Sequence, residues 1–141
     1  MSAAMDELDR EIVSILRRDA RTPYTEIAEE VDISEGTVRN RVERLLEEGV
    51  IERFTVATRT GNVKAMIEVE VDVDVDTGAV SEEIAEWEEV DFVWQVSGEE
   101  DIVVVVDVAD TESVNDLITR ARGMEEVMST KTRLILDERL G

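Results

Sequence analysis

The sequence contains no cysteine and no histidine. The first absence excludes disulfides and thiolate chemistry, and the second removes the commonest general base and metal ligand. Ser-His and Cys-His nucleophiles and most zinc mechanisms are therefore out of reach. Lysine is nearly missing, with Lys64 and Lys131 standing beside 13 arginines, and Pro23 is the single proline. The longest unbroken aliphatic run, Ile102 to Val106, is far short of the roughly 20 residues that cross a bilayer. Met1 to Met5 has no signal-peptide pattern. A soluble, cytoplasmic protein with no membrane partner is expected.

Acid is what the sequence has in excess. Its 141 residues include 36 Asp or Glu against 15 Lys or Arg, a net charge of −21. With 43% hydrophobic residues the chain can still fold, and its length allows one ordinary core or two small ones. The acidic, lysine-poor balance points to a cytoplasm at very high salt, where dense carboxylates keep the surface solvated. An acidic partner-binding surface at ordinary salt is the alternative.

The charge is unevenly spread. Residues 1–64 hold 10 basic and 14 acidic side chains, and residues 65–141 hold 5 basic and 22 acidic ones, giving −4 and −17. The hydrophobic period changes at the same place, so two domains are expected: 1–57, a linker at 58–64 around Thr58-Arg59-Thr60-Gly61-Asn62, and 65–141.

The first part has helical period. Leu8, Ile12, Ile15 and Leu16 share one face of a first helix. Thr22 as N-cap and Pro23 in the first turn open a short second helix that carries Ile27, Ala28 and Val31 inward. Ser34 caps a third helix with Val38, Val42, Leu45 and Leu46 on its buried side, and Gly49 fits the position that ends it. Val50 to Ala57 reads as a strand. The second part has period two. From Ile67 to Asp76 apolar and acidic residues alternate without a break, which predicts a strand. A helix with Val80, Ile84 and Trp87 follows, then strands over Val90 to Val96 and Ile102 to Val108. Asp110 or Thr111 then caps a helix holding Val114, Leu117, Ile118 and Ala121, and a strand over Val127 to Leu136 closes the chain. The order β-α-β-β-α-β is that of a ferredoxin-like domain, so the fold class is α+β.

Two helices joined by a tight turn and braced by a first form a helix-turn-helix, whose second helix enters the DNA major groove by its N-terminal residues. Here that helix starts at Ser34. Arg bonds a guanine edge bidentately, Asn an adenine edge, and Ser or Thr a phosphate or a base. Arg39 and Asn40 are the expected base contacts, Arg41 and Arg44 the expected phosphate contacts, with Ser34 and Thr37 at the helix start. The competing reading of the arginines is an ordinary helix face paired with its own glutamates. At about 1 M salt the Debye length is about 3 Å, so distant carboxylates do not forbid the approach of DNA.

The residues Met5-Asp6-Glu7-Leu8-Asp9, Asp19-Ala20-Arg21, Glu26-Ile27-Ala28, Val31-Asp32-Ile33-Ser34 and Arg41-Val42-Glu43-Arg44-Leu45-Leu46-Glu47-Glu48-Gly49-Val50-Ile51 resemble the N-terminal domain of Lrp/AsnC regulators. That resemblance implies a winged-type helix-turn-helix domain joined to a ferredoxin-like domain that senses a small metabolite. It also implies double-stranded DNA as partner, and dimers that assemble further into tetramers or octamers. Two positions depart from the family pattern: Ala20 and Asp32 stand where glycine is common. Both are tolerable at negative φ, and Asp tolerates positive φ better than Ala.

The apolar strand Ile102 to Val108 implies burial on both sheet faces, and a second copy of the chain is the simplest cover. Part of the acidic row Glu68 to Asp76 must then extend beyond that cover. Asp72, Asp74, Asp76 and Glu83 have the spacing of a calcium loop, but Thr77 stands where the loop requires glycine, and no metal or other cofactor is expected. Ser97-Gly98-Glu99-Glu100-Asp101 resembles the Gly-x-x-Asp loop that lines the family's effector pocket. For an amino-acid effector, amides near Gly98 would meet the carboxylate and Asp101 the ammonium, with Ser97 and Glu99 beside them; a hairpin that merely needs Gly and Asp is the alternative. Trp87 and Trp94 are expected in the core.

The function expected is a DNA-binding transcription regulator responsive to a small metabolite, plausibly an amino acid, with no catalysis. A sensor that has lost DNA binding is a second reading. A siroheme-decarboxylase-like enzyme is a third, disfavoured because such a substrate calls for the histidine this chain lacks.

Overall fold

In the computed structural model, which describes residues 5–98 and 101–141, α1 spans Glu7–Arg18 and begins at a reciprocal cap. Asp6 accepts from the Asp9 N–H, and the Asp9 carboxylate accepts from the Asp6 N–H. Helix α2 spans Tyr24–Val31 with Pro23, not Thr22, at its N-cap. The Thr22 hydroxyl instead donates to the Asp19 carbonyl at 2.7 Å, which closes the turn behind α1. Asp32 ends α2 with φ 56°, the single non-glycine residue at positive φ among those described. The departure at Asp32 therefore falls where the backbone is left-handed, a conformation Asp accepts at modest strain. Ala20 has no such demand made of it.

Helix α3 spans Glu35–Glu47 and starts at Ser34, whose hydroxyl accepts from the Thr37 N–H. Gly49 follows its C-cap at φ +76°, as the left-handed end requires. The three helices enclose Ile12, Ile15, Leu16, Ile27, Ala28, Val38 and Val42. Leu45 is buried beneath α3, but Leu46, expected inside, is 38% exposed. Residues 50–57 form no strand. They carry the strand pattern but pair with no strand among the described residues, and Phe54 and Val56 stay exposed.

The chain divides into Met1–Thr58 and Arg59–Gly141. In the second unit β1 runs Val63–Val71, α4 Thr77–Ala85, β2 Val90–Gln95, β3 Ile102–Val108, α5 Thr111–Arg122 and β4 Val127–Leu134. The four strands form an antiparallel sheet in the order β2-β3-β1-β4. Strand β1 begins inside the segment read as linker and stops five residues before Asp76. Beyond Val71 the acidic row serves local structure: Asp72 accepts from the Asp74 N–H at 3.1 Å, and Asp76 caps α4. Short polar side chains that bond nearby amides favour turns and caps over a ladder, so alternation alone overran the strand. Only Glu68 and Glu70 stand on it, and Glu68 lies opposite Lys131 of β4.

One face of the sheet packs against α4 and α5, with Ala65, Ile67, Val69 and Val71 of β1 and Ile102, Val104, Val106 and Val108 of β3 in the core. Trp87 joins that core. Trp94 does not: it is 49% exposed and stacks on Phe92 with ring centroids 5.7 Å apart. Both rings lie opposite β3, Phe92 across from Val105 and Trp94 across from Val103. Beyond β4 the tail runs beside the start of β1. The Ile135 N–H donates to the Lys64 carbonyl at 2.9 Å, and the Lys64 ammonium meets Glu138 at 3.0 Å, which raises the lysine's pKa.

Candidate nucleic-acid interface and effector loop

The apolar stripe of α3 fixes which side chains can leave the first unit. With Val38, Val42 and Leu45 buried, Gly36, Arg39, Asn40 and Glu43 are exposed, and Thr37 is half-buried. Ser34 and Thr37 share a hydroxyl hydrogen bond of 2.8 Å at the helix start. Arg39 pairs with Glu35 one turn earlier, and its guanidinium lies 5.6 Å from the Tyr24 ring centre. The ring and the carboxylate hold Arg39 at the surface beside Asn40, so the two side chains expected on base edges are adjacent and outward.

Arg41 and Arg44 have a different setting. Asp9 of α1 is fully buried, and its oxygens accept from Arg41 at 3.1 Å and Arg44 at 2.6 Å. Arg41 also bonds Asp6. Both arginines expected at phosphates are thus engaged by α1 in this structure. Asp6 and Asp9 stand in the sequence only within the motif Met5 to Asp9 and carry no expected contact with α3. The available signal was Asp9 itself, an acidic residue three positions before the core residue Ile12.

The same contacts shift titration. The Arg41 guanidinium, and then the Asp9 N–H, hold the Asp6 carboxyl at about 2, below its ordinary 3.8, and Asp6 in turn raises the pKa of Arg41. A carboxyl whose folded pKa is depressed stabilises the fold above its unfolded pKa and loses that contribution as pH falls through the folded value. We expect the gap in urea midpoint between the wild type and Asp6→Asn to close between about pH 4 and pH 2. A gap unchanged down to pH 2 would show that the Asp6 charge does not support the helices.

In the second unit Ser97 and Gly98 follow β2, and Gly98 has φ +131°, a conformation only glycine adopts readily. Glu99 lies outside the described residues. Asp101 serves the sheet: its N–H donates to the Val69 carbonyl, its carbonyl accepts from the Val96 N–H, and its carboxylate accepts from the Val71 N–H at 3.1 Å. That last bond sits at the irregularity between Glu70 and Val71, where the β1–β4 register shifts. The hairpin reading of Asp101 therefore has a definite structural content, and one carboxylate oxygen is already in use.

A helix-turn-helix followed by a one-sided βαββαβ sheet defines a two-domain regulator class, a DNA reader with a ligand-binding module. Residues 5–52 match the family of winged helix-turn-helix DNA-binding domains, and residues 64–140 match the Lrp/AsnC ligand binding domain. The chain belongs to the Lrp/AsnC family and is a DNA-binding transcription regulator with a ligand-binding domain. It is 39% identical to the HTH-type transcriptional regulator LysM of Sulfurisphaera tokodaii over 135 residues, covering 95% of this chain and 96% of that protein. The crystal structure of MtbAldR superposes with a TM-score of 0.87 at 28% identity, covering 100% of this chain and 97% of that one. A feast or famine regulatory protein from M. tuberculosis, solved in complex with L-methionine, superposes at 0.81 and 28% identity, covering 98% and 96%. The LysM and feast or famine relatives are named as regulators, so the decarboxylase-like reading is set aside. Among the described residues no helix is long and apolar enough to cross a membrane.

Proposed function

We propose that the chain reads a specific DNA site through the first two turns of α3, with Arg39 and Asn40 on base edges and Ser34 and Thr37 at the backbone. The observation that carries this reading is the outward, adjacent pair Arg39 and Asn40 on a helix that buries Val38, Val42 and Leu45 on its other side. Selection from random duplexes, followed by titration at several KCl concentrations, tests it; a chain that enriches no sequence would sink it.

We further propose that an amino acid bound at the Ser97–Asp101 loop controls DNA affinity or assembly in the cytoplasm. The L-methionine complex of a structural relative supports this effector class, and Ser97, Gly98, Glu99 and Asp101 remain its expected contacts. Because Asp101 also holds the Val71 N–H, Asp101→Asn is the informative variant. It keeps an acceptor for that amide and removes the charge an ammonium would meet. We expect its unfolding midpoint to stay near wild type while effector affinity, followed by tryptophan fluorescence, falls about tenfold, the difference between a charged and a neutral hydrogen bond. An unchanged affinity would remove Asp101 from the pocket.

The exposed Phe92 and Trp94, beside Val103 and Val105 on the uncovered face of the sheet, support a homodimer through that face, with tetramers or octamers as larger assemblies. The acidic, lysine-poor surface supports work at molar salt.

A further inference from the structure

The core of the first unit is apolar, and apolar packing is non-directional. It buries a face of α3, and directional contacts narrow further how the helix sits along and about its own axis. Base reading is less tolerant, because a recognition constellation works only when held within about 0.5 Å and 10–20° by locked neighbours. Something directional must therefore fix α3.

Asp9 has that character. It is fully buried, and burying a carboxylate is costly unless its oxygens are paired and hydrogen-bonded. Oδ1 accepts from Arg41 at 3.1 Å, and Oδ2 accepts from Arg44 at 2.6 Å and from the Asp6 N–H at 3.2 Å. Arg41 and Arg44 are three residues apart, flanking Val42, so the carboxylate grips one turn of α3 at two points. Asp6 takes a second grip on Arg41. Asp9 lies three residues before Ile12, so the ionic cluster sits one turn from the apolar core on the same helix. Arg44 also lies 3.9 Å from Glu48, so the two arginines face three carboxylates. An arginine that left for a phosphate would strand a buried carboxylate.

We infer that Asp9, supported by Asp6, is a positioning residue for DNA reading: it locks α3 through Arg41 and Arg44, which thereby serve the placement of Arg39 and Asn40 and not the phosphate backbone. This rests on α3 being the DNA-reading helix. It gives the two arginines a role opposite to the one their charge and exposure along the helix would suggest, and it leaves the recognition surface with few free cations.

The experiment measures specific and non-specific duplex affinity of the full chain against KCl concentration. The variants are Arg41→Gln, Asp9→Asn and the two combined, each at a temperature where circular dichroism shows the helices intact. Each arginine neutralising a phosphate contributes about 0.9 to the slope of log affinity against log salt. Arg41→Gln alone is expected to leave the slope unchanged. Asp9→Asn is expected to lose at least tenfold in specific affinity and to steepen the slope by about 0.9 to 1.8 as one or two arginines are released. The combined variant is expected to give back about 0.9 of a gain of about 1.8, and none of a gain of about 0.9 that comes from Arg44 alone. If Asp9→Asn does not fold, Asp6→Asn replaces it, since Asn also caps a helix, with a steepening of up to about 0.9. A slope flattened by about 0.9 in Arg41→Gln alone would mean that Arg41 already sits on a phosphate, and the inference would be overturned. So would an Asp9→Asn chain with wild-type affinity and slope, or, where Asp6→Asn stands in for it, wild-type specific affinity in that variant. A wild-type chain that prefers no sequence fails differently: it removes the DNA-reading assignment of α3 and the inference with it.

Discussion

Replacing Arg39 and Asn40 together by alanine is expected to abolish discrimination between the selected site and unrelated duplex while the protein remains folded. A good bidentate base contact contributes about 1–3 kcal/mol of discrimination. Two of them make about 2–6 kcal/mol, or a loss of about 30-fold to 10⁴-fold in the specificity ratio. The folded state should notice little. Both side chains are exposed, Val38 and Val42 beneath them are untouched, and surface substitutions of this kind usually move stability by about 0.5 kcal/mol or less. What Arg39 gives up is an exposed pairing with Glu35 and its place near the Tyr24 ring, both weak in water. That weakness suits the role, because Arg39 must exchange Glu35 for a base edge when DNA arrives. A double variant that keeps its specificity ratio would place sequence reading elsewhere.

Ile12→Ala is expected to act on the same binding curve by another route. Ile12 is fully buried among the helices of the first unit, and truncating such a side chain removes its transfer free energy and leaves a cavity, about 2–5 kcal/mol together. The core it belongs to is small, so a loss of that size is a large share of what holds three short helices together. Urea unfolding followed at 222 nm should show it as a lower midpoint with an early helical transition. Ile12 touches no DNA in the proposed complex, so affinity corrected for the folded fraction should equal wild type. The two variants then separate cleanly: one loses selectivity at full helicity, the other loses helicity at full selectivity. A wild-type midpoint for Ile12→Ala would contradict the packing described here.

Much of this architecture follows from short-range signals. The cap at Ser34, the left-handed Gly49 and the 3.6-residue stripe through Val38, Val42 and Leu45 define α3 before any tertiary contact is known. The apolar run Ile102 to Val108 identifies β3 to the residue. Where the structure departs from the local pattern, a longer-range or competing interaction decides. Val50 to Ala57 has a strand's residues without a strand partner among the described residues. The alternation from Ile67 to Asp76 is broken by aspartates that bond their own backbone. Trp94 has a core residue's size but falls on the sheet face that α4 and α5 do not cover.

The candidate site divides in the same way. The charge of −21 and its split into −4 and −17 are properties of the chain, as are the helix-turn-helix spacing and the glycine at position 98. Which arginines are free to meet DNA is not. Arg39, Arg41 and Arg44 are alike in type and stand on one helix. Only the packing of α1 against α3 gives two of them a buried carboxylate 32 and 35 residues away. Likewise Asp101 looks like a ligand contact in sequence and is also a sheet contact in three dimensions, across 30 residues. Local propensity and hydrophobic period are written along the chain, so the elements and their order could be read there. Partner choice among equivalent charges depends on distance through space and on exclusion of water, and those exist only once the helices and the sheet have packed.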